Sequence, residues 1–240
     1  MRFVNRLRHL HGKIEEKRLE QKKAMSLKNR EKRNEIELHQ LKNRDFTIIS
    51  NTCIGGVICH DLDIPFQSPT VNIYIRPVDF VKFCSNLQFY IQQPLTEMPY
   101  NPAIGYPVAT IHNEITLYCK HYSCFKEVEE AWQRRIQRIN WKHLCVMMTD
   151  RDFIPPFCTS QPANFCGEDV LKKFEMLPYE NKVCHVKNAE HSKRYSSCCQ
   201  ITRGCDMECV GIITDIISTD GKRMYQFAKD WDYIDFLNEV

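Results

Sequence analysis

Asp45-Phe46-Thr47-Ile48-Ile49-Ser50-Asn51-Thr52-Cys53-Ile54-Gly55-Gly56 is the stretch where the character of the chain changes. Before it lie 44 residues with almost no apolar pattern. At Phe46 a short β-branched run begins, and it ends in Ser, Asn and two adjacent glycines, the residue types of a strand followed by a turn. A strand that opens a fold and runs straight into a glycine-rich turn is the start of an α/β unit.

Working outward toward the carboxyl end, the same alternation recurs. Residues 71–75 predict a second strand closed by Pro77, and residues 78–91 carry Val81, Cys84, Leu87 and Ile91 at helical spacing. A proline-rich loop over 94–107 follows. Two short β-branched runs flank His112-Asn113-Glu114 and predict a hairpin, so the sheet is expected to be mixed. Ser123 is a candidate N-cap for a helix through Ile139, with Glu127, Glu129 and Glu130 at its start and Arg134, Arg135 and Arg138 at its end, as the helix dipole favours. Strands are then expected at 144–148, 183–186 and 210–217, with a terminal helical turn at 233–237. The expected architecture is a layered α/β/α domain over residues 45–240 with a mixed, mostly parallel sheet.

Toward the amino end, residues 1–44 hold 14 Lys/Arg against 6 Asp/Glu, a net +8, so the other 196 residues carry −5 of the total +3. No proline occurs there, and Gly12 is the one glycine, so nothing interrupts a helix. Leu7, Leu10 and Ile14 are helically spaced, but beyond them the apolar stripe is too thin for a coiled coil. The expectation is a basic helical arm, either simply solvated or docked on a partner or an anionic membrane surface. Nucleic acid is the weaker polyanion, because the remaining domain is acidic and carries no nucleic-acid motif.

Thirteen cysteines in 240 residues would suggest disulfides in a small secreted protein. Here there is no apolar leader at Met1 and no staple-like spacing, so the expectation is buried thiols in a reducing cytoplasm, at most peripheral to the inner membrane face. No apolar run reaches the 18 or so residues that cross a bilayer. The grouping of Cys198, Cys199, Cys205 and Cys209 near His185 and His191 lacks a Cys-x-x-Cys pair and argues only weakly for zinc.

Several residues are candidates for chemistry. The 50–56 loop would lie beyond the carboxyl end of the first strand, where Gly55 and Gly56 permit either a tight turn or close approach of a ligand, and where a following helix would attract phosphate. Asp150-Arg151-Asp152, directly after an apolar strand, has the Asp-x-Asp form with which hard oxygen ligands hold Mg²⁺ or Mn²⁺ and a nucleotide diphosphate, and equally the form of a solvated turn. Asp61-Leu62-Asp63 repeats it in weaker context. His112, Glu114 and His121 form a second polar group, with His121 a candidate base or phosphate ligand. Arg134, Arg135 and Arg138 could place two guanidinium groups on one face, or simply pair along the helix with Glu130. No Gly-x-Ser-x-Gly is present.

Taken together, Asp45-Phe46-Thr47-Ile48-Ile49-Ser50-Asn51 with Gly55-Gly56, Ser68-Pro69-Thr70, Tyr106-Pro107-Val108, His121-Tyr122, Ala131-Trp132-Gln133-Arg134-Arg135 with Arg138-Ile139-Asn140, and Phe174, Leu177-Pro178-Tyr179 and Lys182 resemble the bacterial family called domain of unknown function nineteen-nineteen. The resemblance runs over residues 45–186. It departs at Thr52-Cys53-Ile54, where a second Asn and an aromatic residue are expected near the glycines. Members of that family are often labelled exopolysaccharide or capsule biosynthesis proteins, which implies a mixed α/β fold and a link to surface polysaccharides.

From that implication the expected function is a sugar transferase using an activated sugar. Asn51, Gly55, Gly56 and Tyr122 would contact the donor, and Arg134, Arg135 and Arg138 would neutralise its diphosphate. His121 and Asp150 would handle protons, and Asp150 with Asp152 would hold Mg²⁺ or Mn²⁺. The rival expectations are a non-catalytic carbohydrate- or partner-binding module and a polysaccharide-tailoring acyl transferase.

Overall fold

Ile48 and Ile49 are neighbours in sequence and are both buried, which a strand permits only if each of its faces meets an apolar layer. The computed structural model describes residues 17–18, 20–21, 24–25, 28–29, 31–153, 164–201 and 231–240. In it, β1 (Thr47–Ser50) pairs in parallel with β5 (Leu144–Thr149), β5 with β6 (Lys182–Val186), and β6 with β7 (Cys198–Gln200). The strand order is β1-β5-β6-β7.

Period-2 alternation then sorts each strand between two cores. Ile49, Val146, Met148, Cys184, Val186 and Cys198 face one of them. Ile48, Cys145, Met147 and Val183 face the other. The first core is closed by α3 (Pro77–Ser85), α4 (Leu87–Gln92), α5 (Phe125–Ile136) and α6 (Glu168–Glu175). The second is closed by Leu41, which follows the helical residues 31–40 (α1), by α2 (Ile54–Asp61), and by α8 (Tyr233–Leu237). A short α7 (Ala189–Arg194) joins β6 to β7. Each fully buried Ile or Phe in these layers contributes about 1.5–3 kcal/mol.

The α/β class expected from the sequence is present, with parallel and antiparallel pairing divided between two sheets. The hairpin of β3 (Val108–Ile111) and β4 (Ile115–Tyr118) joins β2 (Leu95–Glu97) in a separate antiparallel sheet of order β2-β3-β4. Its turn residues His112 and Asn113 take φ of 53° and 57°, as primed hairpin turns require.

Several local expectations need correction. Residues 71–75 form no strand; Tyr74 makes one isolated bridge to Tyr118, because Asn72 takes φ 67° and breaks the extended run. The helix expected over 78–91 is divided at Asn86, which lies outside helical φ/ψ and flanks both α3 and α4. The helix expected from Ser123 to Ile139 begins instead at Phe125 behind Cys124, and ends at Ile136. The strand expected at 210–217 lies outside the described residues, as does half of the amino-terminal arm.

The end of the arm touches the domain. Glu37 of α1 is buried, pairs with Arg33 at 2.6 Å and accepts a hydrogen bond from the Tyr233 hydroxyl of α8. Lys42 N–H donates to Asn238 Oδ1 at 2.8 Å, and Asn238 Nδ2 donates to the Gln40 carbonyl at 3.0 Å.

Gly55 and Gly56 belong to the first turn of α2 and not to a loop. A Cβ on Gly55 would sit 2.9 Å from Ile48 Cγ2 and 2.9 Å from Ser50 Oγ, so this glycine lets α2 press onto β1. At Gly56 the nearest atom is Val71 Cγ1 at 3.1 Å. Gly55→Ala is therefore expected to lower stability by about 1–3 kcal/mol through overpacking against the buried Ile48 and Ser50 side chains. Gly56→Ala should stay within about 1 kcal/mol of wild type, the gain in helix propensity offsetting a tight contact. Urea unfolding midpoints of the two variants check both; equal effects would remove the packing role assigned to Gly55.

Candidate functional site

Parallel strands end on one side, so the carboxyl ends of β1, β5, β6 and β7 share one edge of the sheet, the usual place for ligands in open α/β folds. Asn51 joins the first two. Its Oδ1 accepts the Thr149 N–H at 3.0 Å and its Nδ2 donates to the Thr149 carbonyl at 3.3 Å, so the side chain extends the β1–β5 ladder. Its own carbonyl accepts the Ile75 N–H at 2.9 Å. Asn51, a candidate donor contact in the sequence, is fully buried and its amide is committed to this brace.

Asp150 directly follows β5. It is only 3% exposed, and its Oδ2 accepts the Lys187 N–H at 3.1 Å from the end of β6. Its main chain is held on both sides, by the His185 carbonyl at 3.0 Å and by the Cys166 N–H at 2.7 Å. Burial pushes the Asp150 carboxyl up to about 6, against the opposing pull of the Lys187 N–H and of the Lys187 and Arg151 charges. A carboxyl titrating this close to neutrality can both give and take a proton. Arg151 is buried with its guanidinium 4.7 Å from the Phe153 ring centroid, and Lys187 Nζ lies 5.6 Å from that of Phe165. Beneath them, burial pushes the His185 imidazole down to about 3, so it stays neutral.

Asp152 answers to a different partner. Arg76 grips it with Nε to Oδ1 at 2.8 Å and Nη2 to Oδ2 at 2.6 Å, a bidentate fork, while the Tyr74 hydroxyl accepts the Phe153 N–H at 2.7 Å. The two carboxylates read together as Mg²⁺ or Mn²⁺ ligands are thus bound up separately. Among the described residues no group of three His, Cys, Asp or Glu side chains is arranged to hold a metal ion. His185, His191, Cys198 and Cys199 form no such group either, and Cys205 and Cys209 lie outside the described residues. Asp61 and Asp63 sit at the carboxyl end of α2 and in the turn after it, away from its amino end at the strand edge.

His121 is exposed, and its Nε2 lies 3.4 Å from Cys53 Sγ. Desolvation and the adjacent Lys120 charge hold the imidazole below its usual range, so it is neutral near pH 7. Burial pushes the Cys53 thiol up, with Lys120 pulling in the opposite direction. The polar group read as His112, Glu114 and His121 is divided between opposite ends of the hairpin. Glu114 at the turn accepts the Tyr90 hydroxyl at 2.7 Å and pairs with Lys82 at 2.9 Å.

Arg134 and Arg135 of α5 and Arg138 just beyond it also separate. Arg135 turns inward, donating from Nη1 to the Tyr122 hydroxyl at 2.7 Å and to the Val71 carbonyl at 3.0 Å; Tyr122 itself donates to that carbonyl at 3.1 Å. Arg134 and Arg138, one turn apart, are exposed. The helical ion pair expected for Glu130 with Arg134 is formed instead by Lys126 and Glu130 at 3.8 Å.

Sequence reading missed Cys53 as a partner of His121, and missed Arg76, Tyr74 and Lys187 altogether. Lys187 carried a usable signal, since it follows β6 as Asp150 follows β5.

A family model described as Domain of unknown function (DUF1919) matches residues 24–238. The chain is also 32% identical over 208 residues to a Haemophilus influenzae protein that bears the name Uncharacterized protein, a match spanning 84% of this chain and 88% of that protein.

Asp150 makes a signed prediction. An unfolded aspartate loses its proton near 3.8, whereas the folded one keeps it to about 6, so the native state holds the extra proton between those values. The stability from that proton is present below about pH 4 and is lost as pH rises to about 6. Asp150→Asn escapes the loss, so its stability relative to wild type should rise by up to roughly 3 kcal/mol between pH 4 and 7. Urea unfolding at the two pH values measures it, and a pH-independent difference would refute the raised titration.

Proposed function

The chain belongs to the family of Domain of unknown function (DUF1919), and we propose that its member described here is a transferase acting on an activated sugar at the carboxyl edge of the parallel sheet. The observation that carries the reading is Asp150: a buried carboxyl titrating near neutrality at the end of the central strand β5, beside the charges of Lys187 and Arg151.

Sugar transfer from a nucleotide diphosphate needs two things from the protein. The departing diphosphate must be met by positive charge or N–H dipoles, and the acceptor hydroxyl must lose a proton as it attacks. Lys187, Arg151 and the amino end of α2 supply groups for the first. Asp150 supplies a group for the second, with His121, a neutral imidazole, on the adjoining part of the edge. Asn51 and Arg135 would act as positioning residues, holding the edge and the Tyr122 segment. A divalent ion carried in with the donor would offset part of the negative charge on the leaving group.

The setting proposed is surface polysaccharide assembly, the context that the sequence resemblance implies. Among the described residues no helix is long and apolar enough to cross a membrane. The net charge of +8 in residues 1–44 would suit transient binding to anionic lipid at the inner membrane face, with about 1 kcal/mol per basic residue near the surface.

The test is a thermal-shift panel of nucleotide sugars and free nucleotides, with and without Mn²⁺, followed by turnover of any donor that binds. A donor at 100 times its Kd should stabilise the chain by roughly 2.7 kcal/mol. Asp150→Asn should keep that shift while lowering turnover by about 10²–10⁴-fold. If no nucleotide sugar produces a shift, the reading fails; a shift with oligosaccharide alone, without turnover of any donor, makes the chain a carbohydrate-binding module.

A further inference from the structure

Cys53 and His121 are brought to the same edge by two independent elements. Cys53 occupies the N-cap position of α2, directly after the β1 turn, and is partly exposed. The position of α2 on β1 is set by the close approach of Gly55 to Ile48. His121 follows β4, and the next residue, Tyr122, is anchored through its hydroxyl to Arg135 Nη1 and the Val71 carbonyl. The thiol and the imidazole nitrogen, 3.4 Å apart, are therefore held from both sides.

Three kinds of chemistry use a thiol beside an imidazole. A metal site needs further ligands, and among the described residues no trio of suitable side chains exists. A resting thiolate–imidazolium pair needs a thiol pKa below that of the imidazole, whereas burial raises the thiol here and desolvation lowers the imidazole. What remains is a neutral thiol beside a neutral imidazole, and in the Nδ1–H tautomer Nε2 faces the S–H as an acceptor, the arrangement in which a base removes the proton only as sulfur attacks. Attack on a carbonyl carbon suits this position, because negative charge develops on an oxygen near the amino end of α2, where the helix dipole favours it.

We propose that Cys53 is a nucleophile with His121 as its base, and that it takes an acyl group from an activated ester or thioester. In the step, the Sγ lone pair forms the S–C bond at the carbonyl while Nε2 takes the thiol proton. The carbonyl then re-forms, the bond from carbon to the leaving oxygen or sulfur breaks, and the imidazolium returns its proton to the leaving group. The products are S-acyl-Cys53 and a free alcohol or thiol, with no change of oxidation state. This places group transfer at the edge already described but does not depend on a nucleotide sugar being the donor.

The full chain treated with p-nitrophenyl acetate, quenched in acid and peptide-mapped by mass spectrometry reports the acetylation rate of each cysteine. Exposure alone favours Cys124, which is exposed, over the half-covered Cys53. The proposal expects the reverse, with Cys53 acetylated roughly tenfold faster or more, a ratio read within one wild-type molecule. His121→Gln should slow Cys53 on the order of 10²-fold and leave both the Cys124 rate and the urea unfolding midpoint unchanged, the latter showing that the fold is intact. The wild-type rate at Cys53 should fall on acidification with a midpoint below that of an ordinary imidazole, following the depressed His121. Acetylation of Cys53 no faster than Cys124, or insensitive to His121→Gln, overturns the proposal. Either result is independent of the nucleotide-sugar panel, so the two readings fail separately.

Discussion

The two-point amide bridge between Asn51 and the Thr149 main chain is the constraint on which the candidate site rests. Strand pairing would otherwise end with Ser50 and Met147, leaving the N–H and carbonyl of Thr149 to find partners at a buried edge. The side chain of Asn51 satisfies both, and its own carbonyl fastens the Ile75 segment. One buried residue thereby sets the spacing between the loop that bears Cys53 and the strand end that bears Asp150.

Desolvation does the next part of the work, and it acts in opposite senses within one edge. It raises the Asp150 carboxyl toward neutrality and lowers the His185 imidazole behind it, so the same burial stores a proton on one group and excludes it from the other. Asp152, two residues on, meets the Arg76 guanidinium in a bidentate fork. Neighbouring carboxylates in a short motif thus acquire different surroundings, because one is buried against a main-chain N–H and the other is gripped by a guanidinium.

Close packing accounts for features that look like ligand machinery in the sequence. The paired glycines open α2 against Ile48 and Val71, and Arg135 spends two donor contacts on Tyr122 and the Val71 carbonyl. Glycine and arginine are the residues both of phosphate sites and of tight helix–strand contacts, since both uses require close approach to the backbone. Nothing in the spacing Gly55-Gly56 or Arg134-Arg135-Arg138 separates the two.

The sequence alone determined the local frame. Short apolar runs marked β1, β5 and β6, the hairpin turn around His112 and Asn113 was legible from its flanking runs, and the acidic-to-basic charge order marked α5, because these are patterns of a few residues. The break at Asn86 and the positive φ at Asn72 were missed, since one residue's backbone angle outweighs the pattern around it. The division into two sheets, and the partners of every polar candidate, were settled only by tertiary structure. Cys53 meets His121 across 68 residues, Arg76 meets Asp152 across 76, and Asn51 meets Thr149 across 98. A polar side chain chooses its partner by which strand lies beside it and by how much water is left, and neither strand order nor depth of burial is a local property of the chain.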